Sequence, residues 1–289
     1  MTITLALCSL ANIIFHAILY EKLVKNDRGE KMSSVGINIE VEKSHGCAGC
    51  SNSNELGFDF EYAFQPIVDL STRTVYAHEA LIRGINGEGA FTILSKINSH
   101  NMYRFDQACR VKAVKTAAEL KLNSLLSINF MPNAVYRPEL CISTTLAAAE
   151  KYNFPSNNII FEFTEGEKIN IKHLHNIISE YKKLGFKTAI DDFGAGYAGL
   201  SLLVQFQPDI VKIDMELLRN IDSDKPRQIV VNALVKMCHE LQVTVLAEGV
   251  ETIAERNYLA DQGINLMQGY LFARPAFKSI GIVNENAWL

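Results

Sequence analysis

Short runs of consecutive apolar residues alternate along most of the chain with longer stretches in which apolar residues recur every third or fourth position. The short runs read as strands buried on both faces, the longer stretches as helices with one buried stripe. In order, the strand-like runs are "YAFQPIVDL", "VYAHEALI", "LLSIN", "NIIFEF", "KTAIDD", "DIVKID", "TVLAE" and "INLMQ". Leu174, Ile177, Ile178, Tyr181 and Leu184 share one helical face, and Gly185 stands where a C-terminal cap belongs. A second face gathers Ile229, Val230, Ala233, Leu234, Met237, Cys238 and Leu241, with Ser223 as the expected N-cap and Pro226 in the first turn. About eight strands alternating with helices over roughly 220 residues predict an α/β fold of the (β/α)8 barrel type. A doubly wound sheet is the competing architecture.

What ends each run favours the barrel. The first polar residues at or near the C-terminal ends are Glu79, Asn129, Glu162, Asp191 with Asp192, Lys212 with Asp214, Glu248 and Gln268. A barrel gathers these ends at one mouth, where active sites of the fold lie, whereas an open sheet strings them along a line. Acids after strands often cap the next helix, which accounts for one or two of them. It does not account for carboxylates inside apolar runs such as "IIFEF" and "VLAEG". So many carboxylates in a partly buried mouth raise one another's pKa and call for cations. No histidine or cysteine ends one of these strands, and ligation by oxygen alone selects hard ions, Mg2+ or Mn2+, over zinc. With a lysine among them, the set points to two-metal phosphoryl chemistry, in which paired divalent ions activate water and stabilise in-line displacement at phosphorus.

The "GAGYAG" that follows Asp191 and Asp192 has the spacing of a dinucleotide-binding loop. Two aspartates directly before the glycines repel a pyrophosphate, and the loop follows the fifth strand-like run rather than the first. The glycines are read instead as a tight loop passing close to the metals. The "DFG" triplet lacks the His-Arg-Asp and glycine-rich elements of protein kinases upstream.

Composition narrows the class. At 289 residues, 48% of them hydrophobic, the chain can bury one large core, and a net charge of −4 provides no basic face for DNA or RNA duplexes. Six scattered cysteines argue against a secreted disulfide scaffold and for the cytoplasm; Cys109, Cys141 and Cys238 read as small core residues. Cys47 and Cys50 in "HGCAGC", beside His45, form a candidate redox or metal-responsive element without a second pair to close a zinc site. Residues 1–20 carry no charge and precede Lys22, Lys25, Arg28 and Lys31, so they read either as an anchor on the inner face of the cell membrane or as a non-native leader ahead of Met32. The expected organisation is that stretch, a polar extension with the Cys-x-x-Cys over 21–56, a folded domain over 57–280 and a tail over 281–289.

The ordered motifs "FQPIVDL", "HEALIR", "SINFMP", "FEFTEG", "AIDDFGAGY", "VKIDM", "AEGVET" and "QGYLFARP" resemble the EAL-domain family of cyclic-di-GMP phosphodiesterases over residues 58–278. The resemblance implies a barrel with one strand reversed, two bound Mg2+ or Mn2+ ions, and hydrolysis of cyclic di-GMP to linear pGpG. It implies that Glu79, Asn129, Glu162 and Asp191 bind one metal and that Asp191, Asp192 and Glu248 surround the other. Lys212 would orient the attacking water and stabilise charge or protonate the leaving oxygen, which makes Lys212, Glu248 and Asp191 the catalytic set. Gln65, Leu81, Arg83, Asp214 and Gln268 fall to the substrate, and Glu165 and Glu251 to steadying the loop at 192–199. A homodimer is implied too, its surface on the helices after "DDFG" and "KID".

The chain departs from the family's pattern in three motifs: Ala195, Ala198 and Gly199 replace loop hydroxyls, Gly166 replaces a serine, and Phe130-Met131 replace smaller residues. All expected ligands are kept, so a phosphodiesterase is the leading reading. The alternatives are a non-catalytic cyclic-di-GMP receptor or interaction module and a phosphodiesterase acting on other nucleotides.

Overall fold

The computed structural model describes residues 56–164, 170–196 and 199–288. Eight strands close into a barrel: β1 (Glu61–Asp69), β2 (Thr74–Arg83), β3 (Leu125–Asn129), β4 (Ile159–Thr164), β5 (Lys187–Phe193), β6 (Ile210–Ile213), β7 (Thr244–Ala247) and β8 (Leu266–Met267). Pairing from β2 to β8 is parallel, and β1 closes the ring antiparallel to both β2 and β8. The reversed strand of the expected barrel is therefore the first. The connections carry α1 (Ala90–Leu94), α2 (Met102–Glu119), α3 (Pro138–Cys141), α4 (Ser143–Lys151), α5 (Ile171–Lys183), α6 (Gly199–Gln205), α7 (Met215–Leu218), α8 (Lys225–Glu240) and α9 (Ile253–Asp261). A two-residue strand, β9 (Ala276–Phe277), adds to the outer edge of β1.

Strand alternation divides each run between two cores. Phe161, Phe163, Ile190 and Val211 face outward into the large cluster under the helices, with Leu174, Ile177, Ile178 and Tyr181 of α5 packed against them. Ile67, Ala77, Ile160, Ala189, Ile210, Leu246 and Leu266 face inward and plug the barrel. Side chains two residues apart on a strand share a face. Glu79, Glu162, Asp191, Lys212, Glu248 and Gln268 therefore each stand one step above a plug residue of the same strand. That periodicity puts the polar set at one end of an otherwise sealed interior.

Two helix expectations need correction. Helix α8 is capped by Asp224, whose carboxylate accepts from Arg227 N at 3.1 Å, not by Ser223, because the carboxylate reaches the third helical N–H. Its buried residues are Val231 and Cys238, with Leu234 and Met237 partly covered, while Ile229 is 62% and Val230 46% exposed. Seven apolar residues spread over more than one stripe, and only one stripe meets the barrel. Leu184 lies past the end of α5 and is exposed, and Gly185 follows it with φ +84°. Cys109, Cys141 and Cys238 are buried thiols.

Among the described residues no helix is long and apolar enough to cross a membrane. Residues 1–20 and the Cys47/Cys50 pair lie outside the described residues, as do Glu165, Gly166 and Ala198.

Candidate active site

Lys212, on β6, sits fully buried at the centre of the mouth. Its Nζ lies 2.8 Å from Asp191 Oδ1, 2.9 Å from Glu248 Oε1, 3.0 Å from Glu162 Oε2 and 3.7 Å from Glu79 Oε2. Burial alone lowers an ammonium's pKa; here Asp191, Glu162, Glu248 and Glu79 override it and hold Lys212 well above its ordinary value. The lysine is thus an ammonium at neutral pH. The acids respond in the opposite sense. Burial, more than the neighbouring charges, pushes Glu162 up to about 8 and raises Glu248 and Asp192 well above the usual carboxylate range.

The two adjacent aspartates reach the same mouth by a backbone irregularity. Regular alternation would turn Asp192 to the helix side. Instead the β5–β6 register shifts between Ile190 and Phe193, and Asp192 adopts φ +53°. A left-handed non-glycine residue costs about 1–2 kcal/mol, least for Asp and Asn, and such strain concentrates at functional sites. The bulge brings Asp191, Asp192 and Glu248 together as a second acidic group beside Glu79, Glu162 and Asp191, with Asp191 common to both.

Neutral amides frame the acids. Asn129 Nδ2 donates to Glu79 Oε1 at 3.1 Å. Gln268 Nε2 donates to Glu79 Oε2 at 2.8 Å and to Gln65 Oε1 at 3.1 Å, and Gln65 Nε2 donates to Ala273 O at 3.1 Å. Gln268 Oε1 is buried with no hydrogen-bond partner among the described residues. Ser127, which sequence reasoning passed over, donates to Glu162 Oε1. It lies two residues before Asn129, so alternation along "LLSIN" carries the signal that it faces inward.

The donor set fits divalent cations. Each acidic group can offer three oxygens within 4.8 Å of one another, and every donor is a hard oxygen. Once ionised, the five carboxylates of the two groups would outweigh the Lys212 ammonium by four negative charges, the charge of two divalent ions. The buried, unpartnered Gln268 Oε1 is a further acceptor beside the same cluster.

The remaining expected residues are placed less uniformly. Leu81 and Arg83 line a cavity of about 110 Å³ that also borders Asn129, Met131 and Thr164. The guanidinium of Arg83 lies along its own strand, donating to Ile82 O at 2.7 Å. Asp214 is buried and accepts from Glu216 N at 2.7 Å, which caps α7. Glu251 Oε1 lies 3.3 Å from Arg219 Nη2, and Arg219 in turn meets Glu255 of α9. Neither Arg219 nor Glu255 was expected; the "TIAE" capping box was the legible part of that cluster.

Comparison with known proteins agrees with this geometry. The family model described as EAL domain matches residues 53–275. The blue light- and temperature-regulated antirepressor BluF of Escherichia coli is 34% identical over 221 residues, covering 76% of this chain and 55% of that protein. The cyclic di-GMP phosphodiesterase PdeR of E. coli is 38% identical over 127 residues, 44% of this chain and 19% of that one. A standalone versatile EAL protein from Vibrio cholerae, solved in a c-di-GMP bound form, superposes with TM-score 0.78 at 53% identity over 80% of this chain and 98% of that one. A manganese and cy-diGMP complex of Klebsiella pneumoniae BlrP1 superposes with TM-score 0.72 at 36% identity, over 78% of this chain and 57% of that one. The chain spans about half or less of the length of these curated relatives.

Proposed function

Given that the chain belongs to the EAL domain family, we propose that it hydrolyses cyclic di-GMP to linear pGpG with two divalent ions, Mg2+ or Mn2+. The observation that carries this reading is the convergence of four carboxylates on one buried ammonium, with Asp192 joining Asp191 and Glu248 in a second acidic group, so that the five acids once ionised leave charge for two such ions. Glu79, Asn129, Glu162 and Asp191 would hold one ion, and Asp191, Asp192 and Glu248 the other. When bound, the ions supply the Lewis acidity that activates water and offsets charge on the phosphodiester.

The chain's own groups do the rest. Lys212, kept protonated by its acidic neighbours, is a poor base and a strong local cation. It would either hold the attacking water through a lone pair and stabilise negative charge gathering on phosphorus, or pass a proton to the leaving oxygen. Gln268 and Gln65, tied to each other and to Glu79, would position phosphate or bound water. Leu81 and Arg83 would meet the nucleotide at the cavity beside Asn129, where a planar donor suits a phosphate or a guanine edge. Asp214, which fixes the turn after Lys212 through one oxygen, would meet the substrate beside it. The apolar side chains that α6 leaves exposed, Leu200 at 58% and Val204 at 78%, would form part of a homodimer surface.

Incubation with cyclic di-GMP and Mn2+, followed by chromatography, tests the proposal. Production of pGpG that stops with EDTA and in Glu79→Ala is the expected result. A second reading, a non-catalytic cyclic-di-GMP receptor acting on a protein partner, draws support from the relative named an antirepressor. Tight nucleotide binding without pGpG would select it.

A further inference from the structure

Glu248 differs from the other acids of the cluster in how it is held. Glu79, Glu162, Asp191 and Asp192 lie within strands, whereas Glu248 is the first residue past β7. Its side chain is 16% exposed, against 1% for Glu162 and 3% for Asp191. Glu162 has Ser127 as a partner and Glu79 has Asn129 and Gln268. For Glu248, as for Asp191, the ion pair with Lys212 is the one described side-chain contact, but Asp191 has a paired strand beneath it and Glu248 does not. Its position depends on the backbone that follows.

That backbone is clamped from the neighbouring loop. Arg219, directly after α7, donates from Nη2 to Gly249 O at 3.2 Å and from Nη1 to both oxygens of Glu255 at 3.3 and 3.5 Å. Glu255, 4% exposed in its side chain, also accepts from Asn220 N at 3.0 Å, Glu251 N at 3.0 Å and Thr252 N at 3.1 Å. One carboxylate thus gathers the turn after Lys212 and the turn after Glu248 at a single point. The approach leaves no room for alternatives. Gly249 has φ +62°, and a Cβ there would stand 2.4 Å from Met215 Cβ. Among the described residues Arg219 is the one side chain that bonds both to Gly249 O and to the buried acid, and its rigid fork makes the two contacts at once.

We propose that Arg219 is a positioning residue for Glu248, and through it for the half of the metal site built from Asp191, Asp192 and Glu248, while the half built from Glu79, Asn129, Glu162 and Asp191 does not depend on it. This inference rests on the two-metal reading above. Loss of a partner that orients a ligand weakens metal binding by about 10- to 100-fold. A structural residue without this role would lower the melting temperature and leave both affinities alone.

Titration with Mn2+, followed by the loss of the free-ion EPR signal, separates the cases without reference to turnover. The wild-type chain should take up two ions. Arg219→Met should take up one with unchanged affinity and the other about 10- to 100-fold more weakly. Arg219→Lys, which keeps the charge opposite Glu255 but not the fork, should fall between them and serves if Arg219→Met does not fold. Glu255→Gln, able to cap α9 but not to neutralise Arg219, should weaken the same ion. Two unchanged affinities in the folded variants, or equal weakening of both ions, overturns the role of Arg219 alone. A wild-type chain that takes up no Mn2+ overturns the metal reading and this inference with it.

Discussion

Replacing Lys212 with methionine removes the one cation among the described residues that faces Glu79, Glu162, Asp191 and Glu248, while keeping most of the side-chain volume. In metal-free protein the ammonium is the counter-charge of that cluster, and removing one partner of a buried ion pair typically costs about 3–5 kcal/mol. Against a total stability of roughly 5–15 kcal/mol that is a large fraction. For a domain of this size each kcal/mol moves the melting temperature by roughly 2–4 °C, so Lys212→Met in EDTA at pH 8 should melt roughly 6–20 °C below wild type. The deficit should shrink at pH 5, because Glu162, Glu248 and Asp192 already favour the protonated form and need no counter-charge once neutral. Saturating Mn2+ should also shrink it, by supplying the missing positive charge. Thermal melts at both pH values, with EDTA and with Mn2+, measure all of this. Equal melting temperatures for wild type and variant in EDTA at pH 8 would refute the idea that Lys212 neutralises the empty cluster.

For the wild type in EDTA, Glu162 carries a folded pKa near 8 against an ordinary value near 4.5, so its stabilising share is whole below 4.5 and is lost as pH rises through 8. His78, whose burial pulls it down to about 4, works the other way and loses its share as pH falls below 6.5. His78 offsets only one of the three raised acids between pH 4.5 and 6.5, so metal-free protein should melt higher near pH 5 than at pH 8, and a melting temperature that climbs from pH 5 to pH 8 would contradict the direction of the Glu162, Glu248 and Asp192 shifts. Gly269→Ala would set a Cβ 2.0 Å from Val250 O, breaking the bonds from Val250 N to Gln268 O and from Leu271 N to Val250 O. A cost of about 3 kcal/mol and a drop of roughly 6–12 °C are expected; a melt within 2 °C or so of wild type would count against that packing. Leu200→Lys combined with Val204→Lys should convert a dimer to a monomer in light-scattering chromatography, and a wild-type chain that already elutes as a monomer removes the proposed dimer surface.

Much of this arrangement was legible in one dimension because strands alternate. Each of Glu162, Asp191, Lys212 and Glu248 stands two places after an apolar plug residue, so one face of each run changes from apolar to charged at the same height. That signal needs only the pleat. Asp192 broke it: adjacent residues belong on opposite faces, and the bulge that brings both aspartates to the mouth is visible only in the register of β5 against β6. The stripe of α8 was misjudged because helical periodicity tells which residues share a face but not which face meets the barrel, and Ile229 and Val230 turned outward. Arg219 and Glu255 stayed hidden for another reason. They are 36 positions apart and meet only because parallel strands return each loop to the same rim.

The two acidic groups therefore differ in how far they are formed before any ion arrives. Glu79 and Glu162 stand on paired strands, and their carboxylates are held by Asn129, Gln268 and Ser127, all buried or nearly so. Such a group stays ordered without metal, since its side chains have neighbours that fix them. Asp192 and Glu248 sit at a bulge and just past a short strand, one in a left-handed conformation and the other steadied through its backbone. Burial penalises the charged form of both, and each is pushed toward protonation by Asp191 as well. An ion entering either side must displace a proton, since Glu162 too is pushed up to about 8, but on the Glu79–Glu162 side the carboxylates already have hydrogen-bond partners that orient them. Filling should accordingly be sequential, with the Glu79–Glu162 side first.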